Sequence, residues 1–181
     1  MSTSSPRPAV FLDRDGVLIK APIVKGTPAA IRSVAELELT RDAASFCAAL
    51  RERDVPLFVF TNQPDVVRGL TSRYVVEQIN TAVSSSLGIT ETAVCWTDDD
   101  EDPRRKPNPG MILELAEAHG IDVAASVTIG DRWRDIAAGE RAGSATVFID
   151  RHYDERGPDA PDLTVTELGK ALDWVLERLG V

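Results

Sequence analysis

Short runs of strand-forming residues alternate along this chain with stretches of helical period, and no other feature narrows the possible folds so far. The runs cover residues 9–12, 56–60, 93–96, 126–129 and 146–149, with a brief sixth at 163–165. Residues 56–60 are apolar without alternation, the pattern of a strand buried on both faces. Between the runs, Thr40 is placed to N-cap a helix reaching about Arg53, with Ala43, Phe46, Cys47 and Leu50 on one face. Thr71 or Ser72 opens a second helix, which carries Val75, Ile79, Val83 and Leu87 and closes at Gly88. Asn108 as N-cap and Pro109 in the first turn begin a third, which runs through Ile112, Leu115 and Ala116 to His119 and Gly120. A fourth turns Ile136 and Ala137 inward and ends at Gly143, and the last shows Leu168, Leu172, Val175, Leu176 and Leu179 on one face, with Trp174 packing beside them. Strand and helix in alternation require a mostly parallel sheet with right-handed crossovers. The expected fold class is therefore α/β, a three-layer α/β/α sandwich around a Rossmann-like sheet, with minimal or no cap domain.

At 181 residues the chain has room for one well-buried core, expected over residues 9–181 after a frayed tail at 1–8. A net charge of −9 argues against nucleic acid as a partner, because neutralising phosphates takes a basic face. No apolar run is long enough to span a bilayer and the N-terminus lacks a signal-peptide core, so a cytoplasmic protein without membrane contact is expected, in its simplest form a monomer. Cys47 and Cys95 read as small buried hydrophobes. His119 and His152 lack metal-pair spacing and read as structural or solvent-facing.

Every strand of a parallel sheet delivers its carboxyl end to one rim, where ligands bind. The first run stops at Asp13-Arg14-Asp15-Gly16, the second at Thr61-Asn62-Gln63, and the fourth at Gly130-Asp131. Lys106 precedes a helix start and can face the same rim. Carboxylates from two strands suit Mg²⁺, a hard cation held by one or two protein carboxylates, waters and a phosphate oxygen. A lysine and a threonine hydroxyl would then neutralise and orient phosphoryl oxygens. In such a site Asp13 attacks phosphorus to form an aspartyl-phosphate, while Asp15 protonates the leaving oxygen and later takes a proton from the attacking water. Residues 18–38 carry Pro22, Gly26 and Pro28 and read as an irregular or hairpin-like excursion, either a lid over this rim or a surface connection.

Taken together, Asp13-Arg14-Asp15-Gly16-Val17, Thr61-Asn62-Gln63, Arg105-Lys106-Pro107 and Gly130-Asp131-Arg132-Trp133-Arg134-Asp135 resemble the haloacid dehalogenase-like superfamily of phosphatases. The resemblance implies Asp13 as nucleophile, Asp15 as acid/base, and Thr61 and Lys106 as phosphate binders. It also implies Asp13, Asp131 and the Asp15 main-chain carbonyl as Mg²⁺ ligands, with Asp135 orienting the site. Thr61-Asn62-Gln63, Arg68-Gly69 and the stretch 105–110 are similar to the nearly capless branch that holds the heptose bisphosphate phosphatases and the histidinol-phosphate phosphatase domain. That branch implies Asn62, Arg68 and Arg105 at the substrate, and D-glycero-D-manno-heptose 1,7-bisphosphate as the leading substrate. Histidinol phosphate or an aminosugar phosphate is the alternative, and a non-catalytic phosphosugar-binding protein is the alternative of another class. Arg132 either meets a second anionic group or forms a surface ion pair.

One departure stands out. Members of the branch commonly carry a zinc loop with Cys-x-His and a later Cys-x-Cys before Arg-Lys-Pro, whereas here only Cys95 remains, followed by the acidic residues 98–102. Structural zinc takes about four N or S ligands, so none is expected. The acidic run is either a solvated face or a receiver for a cationic, for example amino-bearing, substrate.

Overall fold

The computed structural model describes residues 6–181. In chain order its strands are β1 (Val10–Leu12), the hairpin pair β2 (Ile23–Val24) and β3 (Thr27–Pro28), β4 (Leu57–Asn62), β5 (Glu91–Cys95), β6 (Val127–Gly130), β7 (Ala145–Ile149) and β8 (Leu163–Val165). The helices are α1 (Ala43–Arg51), α2 (Arg73–Leu87), α3 (Gly110–His119), α4 (Trp133–Ala142) and α5 (Leu172–Leu179). Six strands form one sheet in the order β5-β4-β1-β6-β7-β8, with every pairing parallel.

Within β1 successive side chains point to opposite faces, and both faces are covered. Val10 and Leu12 join Leu57, Val59 and Ile129 in a core closed by α1, α2 and α5. Ala9 and Phe11 join Phe58 and Phe60 under α3, where the Phe11 and Phe58 rings stack with centroids 5.5 Å apart. The three-layer sandwich is thus the direct product of apolar strands flanked by helices with one apolar stripe each. Because the chain passes from β1 to β4 on one side and returns to β6 on the other, the order reverses at β1. Strands diverge above such a point, and ligand crevices form there.

Several local expectations are corrected. Thr40 does not cap α1: its hydroxyl donates to the Val17 carbonyl at 2.7 Å, tying the post-β1 segment down, and the helix starts after Asp42. Asn108 does not cap α3, which begins at Gly110; its amide instead donates to the Asp100 and Asp102 carbonyls. On α4 Ala138, not Ala137, faces inward with Ile136. Ser72 does cap α2 through the Val75 N–H, and Gly88, Gly120 and Gly143 end their helices in the left-handed conformation. Residues 18–38 include the β2–β3 hairpin, although Leu18 and Ile19 belong to the core. Of the segment expected to fray, residues 1–5 lie outside the described residues, and Arg7 already bonds Gly120 and Asp122 through its backbone. Among the described residues no helix is long and apolar enough to cross a membrane.

Candidate active site

Register places the rim residues. Leu12 pairs with Val59 on one side and Ile129 on the other, so one residue further on Asp13 emerges level with Phe60 and Gly130, one residue short of Thr61 and Asp131 on either side. The Asp13 N–H donates to the Ile129 carbonyl and fixes its height. Lys106 comes from the β5–α3 connection, and Asn62 holds that backbone from both sides, accepting from the Lys106 N–H and donating to its carbonyl at 3.2 Å each. Asn62 therefore helps place the lysine, with one amide N–H left over.

The Lys106 ammonium lies 2.7 Å from Asp13 Oδ1 and 2.7 Å from Asp135 Oδ1, and donates to the Phe60 carbonyl at 3.1 Å. All three charged side chains are buried. Burial disfavours the lysine's charge, but Asp13 and Asp135 outweigh it and hold its pKa above the usual range. Burial pushes Asp13 up to about 7, helped by Asp135 and Asp15 and opposed by Lys106. The other Asp135 oxygen accepts from the Arg132 N–H at the start of α4, so both of its oxygens are engaged.

Asp131 completes the cluster. Its Oδ2 accepts from the Tyr153 hydroxyl at 2.6 Å, while its Oδ1 is buried with no partner among the described residues. Burial, followed by the charges of Asp13 and Asp135, raises its pKa well above an ordinary carboxyl. Single oxygens of Asp13, Asp131 and Asp135 all lie within 4.8 Å of one another. An orphaned buried carboxylate oxygen beside two more acids is a donor set that fits a hard divalent cation. Asp13 and Asp131 are the side chains that could hold it, since Lys106 and the Arg132 amide engage both oxygens of Asp135.

Gly16 makes the approach possible. It has φ +87°, and a Cβ there would stand 1.8 Å from Asp131 Oδ2 and 2.8 Å from the Tyr153 hydroxyl. Gly16→Ala is expected to cost about 1–3 kcal/mol in backbone strain alone, and to lower kcat/KM about 100-fold by displacing Asp131. Denaturant unfolding and steady-state kinetics check this; wild-type values in both would refute the assigned packing.

Asp15 is not one of the three clustered acids. Its carboxylate is held by Arg14 and by Gln63 Nε2, and the same Gln63 nitrogen donates to the Thr61 hydroxyl at 2.9 Å. The three arginines expected at the substrate are already paired with acids of this chain. Arg68 meets Asp98 at 3.2 Å, Arg105 meets Asp100 at 2.9 Å, and Arg132 forks onto Glu155. Arg132 thus sits in an ion pair, as one of its two readings has it. Arg134, which the sequence did not single out, shares Asp100 with Arg105 at 3.2 Å. These guanidiniums hold Asp100 below the usual carboxylate range, first through the Arg105 hydrogen bond. His119 sits against Glu91 and Phe58 and His152 against Asp150, outside the cluster as expected.

With this geometry in view, comparison with known proteins is decisive about family. Residues 22–143, about two thirds of the chain, match the family model described as haloacid dehalogenase-like hydrolase. The chain belongs to the haloacid dehalogenase-like hydrolases. It is 32% identical over 163 residues to the D-glycero-beta-D-manno-heptose-1,7-bisphosphate 7-phosphatase of Rhodopseudomonas palustris, covering 79% of this chain and 84% of that one. It is 27% identical to the corresponding D-glycero-D-manno-heptose-1,7-bisphosphate 7-phosphatase of Thermosynechococcus vestitus, over 96% of this chain and 98% of that one. In fold it is similar to the crystal structure of D,D-heptose 1,7-bisphosphate phosphatase from B. bronchiseptica complexed with magnesium and phosphate, at TM-score 0.79 and 24% identity, covering 94% and 98% of the two chains. A putative haloacid dehalogenase-like phosphatase from Mesorhizobium loti superposes at TM-score 0.77 and 25% identity, covering 97% of this chain and 87% of that one.

Sequence reasoning about this haloacid dehalogenase-like site passed over Arg14, Gln63, Asn80, Arg134 and Tyr153. A signal existed for two of them: Arg14 opens the turn between two singled-out acids, and Asn80 interrupts the apolar stripe of α2. Tyr153 carried none, because its bond to Asp131 depends on how the chain after β7 folds back. Arg151 in the same segment donates to the Gly16 carbonyl at 3.0 Å.

Proposed function

We propose that this chain is a Mg²⁺-dependent phosphomonoesterase acting on a small sugar bisphosphate, with D-glycero-D-manno-heptose 1,7-bisphosphate as the leading substrate. The observation that carries the reading is Lys106 seated between Asp13 and Asp135, beside the unpartnered oxygen of Asp131. Asp13 attacks phosphorus, forming the new P–O bond as the bond to the leaving oxygen breaks, and Asp15 supplies that oxygen's proton. Lys106 and the Thr61 hydroxyl hold phosphoryl oxygens and absorb developing charge. Water then attacks phosphorus, Asp15 takes its proton, and free phosphate leaves Asp13 ionised again. When bound, Mg²⁺ adds charge neutralisation at a phosphoryl oxygen, with the Asp13 and Asp131 carboxylates and the Asp15 carbonyl to hold it.

The acidic loop favours a bisphosphate over an amino-bearing phosphate. Asp98 and Asp100 are neutralised by Arg68, Arg105 and Arg134, and Asp99 and Asp102 each accept a backbone N–H two residues on. A guanidinium carries more N–H donors than one carboxylate takes, so Arg68, Arg105 and Arg134 keep donors for an incoming phosphate even while paired, whereas the acids they neutralise have less charge to offer an ammonium. The same contacts support a loop that needs no structural zinc.

Phosphate release with and without Mg²⁺, across heptose bisphosphates, hexose phosphates, aminosugar phosphates and histidinol phosphate, tests the proposal. Strong preference for a bisphosphate is expected, and preference for an amino-bearing ester would replace it with the alternative. Because burial raises the pKa of Asp13 to about 7 and that of Asp131 well above an ordinary carboxyl, half-saturation by Mg²⁺ is expected to rise as pH falls below about 7, by more than about tenfold per unit where both carboxyls hold a proton.

A further inference from the structure

Arg14 is the largest fully buried side chain among the described residues, at 0% exposure, and the phosphoryl-transfer chemistry gives it no task. Burying a guanidinium is costly, and exchanging a buried ion pair for apolar residues is often neutral or stabilising, so stability alone does not explain it. Its contacts do. Nη1 donates to Asn80 Oδ1 at 2.7 Å, and Asn80 is the polar residue on the buried face of α2, otherwise made of Val76, Ile79, Val83 and Leu87. The other edge of the guanidinium lies along the next carboxylate. Nε and Nη2 reach Asp15 Oδ2 at 3.1 and 2.9 Å, and Nη2 reaches Oδ1 at 3.2 Å. Gln63 Nε2 approaches Asp15 Oδ2 from the opposite element at 2.8 Å. A carboxylate only accepts hydrogen bonds, so the nitrogen end of the Gln63 amide must face it.

We infer that Arg14, anchored by Asn80, and Gln63 are positioning residues that fix Asp15 so that its Oδ1 alone exchanges the catalytic proton. This rests on the phosphatase reading. Oδ2 receives three donors and has no room for a proton of its own, whereas Oδ1 has one long contact. The Oδ1–H bond breaks as the leaving oxygen takes the proton, and Oδ1 regains one from the water that attacks the phosphorylated Asp13. Gln63 also bonds the Thr61 hydroxyl, and so sets the distance between the proton donor and a group that holds the phosphoryl oxygens. An arginine fork can clasp the carboxylate through two nitrogens, and a lysine cannot.

The test is kcat/KM with Mg²⁺ for a series of phosphate monoesters, from p-nitrophenyl phosphate to alkyl phosphates, whose leaving groups differ in their need for a proton. Asp15→Asn sets the pattern of a missing acid. Arg14→Lys, which keeps charge and bulk, is expected to lose about 100-fold on alkyl esters and under about fivefold on p-nitrophenyl phosphate. Gln63→Met, on the site side of Asp15, is expected to shift the same ratio about tenfold, and decides the matter should Arg14→Lys not fold. Equal losses on every ester, or a wild-type ratio in both variants, would overturn the inference while leaving the phosphatase reading in place. A wild-type protein that hydrolyses none of the esters, or an Asp13→Asn protein as active as wild type, would overturn both.

Discussion

Asp13→Asn is expected to abolish Mg²⁺-dependent phosphate release, a loss of at least about 10⁴-fold, without unfolding the protein. The amide oxygen still accepts from the Lys106 ammonium, which in the native protein lies 2.7 Å from Asp13 Oδ1. What disappears is a nucleophilic oxygen and one negative charge in a crowd of acids. Burial above all, with Asp135 and Asp15 behind it, pushes the Asp13 pKa upward against the pull of Lys106, so the native charge is held at a cost. Neutralising it is expected to leave metal-free stability unchanged or raised by about 1 kcal/mol, the usual relation between a strained site and the fold that carries it. Thermal unfolding with and without Mg²⁺, beside a phosphate-release assay, reads both effects. Retained turnover would remove Asp13 as nucleophile, and an unfolded variant would show that the carboxylate is structural.

Lys106→Met is expected to damage both function and fold. The ammonium is the shared partner of two buried carboxylates, Asp13 and Asp135, each at 2.7 Å. Removing one member of such a cluster strands the others and costs about 3–5 kcal/mol. The cost depends on pH in a definite sense. At low pH the stranded Asp13 is protonated and neutral, and as pH rises it must ionise without its counter-ion. The destabilisation is therefore expected to be larger at pH 8 than at pH 5, which paired denaturant titrations would measure. Loss of the phosphoryl-binding charge is expected to reduce turnover by about 10³-fold. A loss of stability independent of pH would mean that the lysine acts through packing rather than charge.

Much of the molecule is legible in its amino-acid order. Strand and helix periods point to a parallel sheet because apolar strands without alternation need cover on both faces, as Val10 and Phe11 receive on β1. The acids and the lysine are legible because a parallel sheet presents strand ends at one rim, whatever the intervening sequence. Helix starts are less so. Thr40 and Asn108 have the right chemistry for capping, yet each is used in tertiary contact: Thr40 donates to the Val17 carbonyl, and the Asn108 oxygen that would cap accepts from Arg141. A capping hydrogen bond is local and weak, and one long-range alternative of similar strength is enough to displace it.

Read alone, the amino-acid order is enough for the fold class and the charged centre of the site, because strand periodicity and strand-end position are properties of the chain taken one element at a time; the family resemblance rests on its four motifs. Only the tertiary structure decided which side chains hold that centre in place. Arg14 to Asn80 spans 66 residues, Lys106 to Asp13 spans 93 and Arg151 to Gly16 spans 135. It also decided that the expected substrate arginines start out paired with Asp98, Asp100 and Glu155. Pairings of this kind follow from which charged groups the folded backbone brings within about 3 Å of each other, and no local pattern encodes that distance.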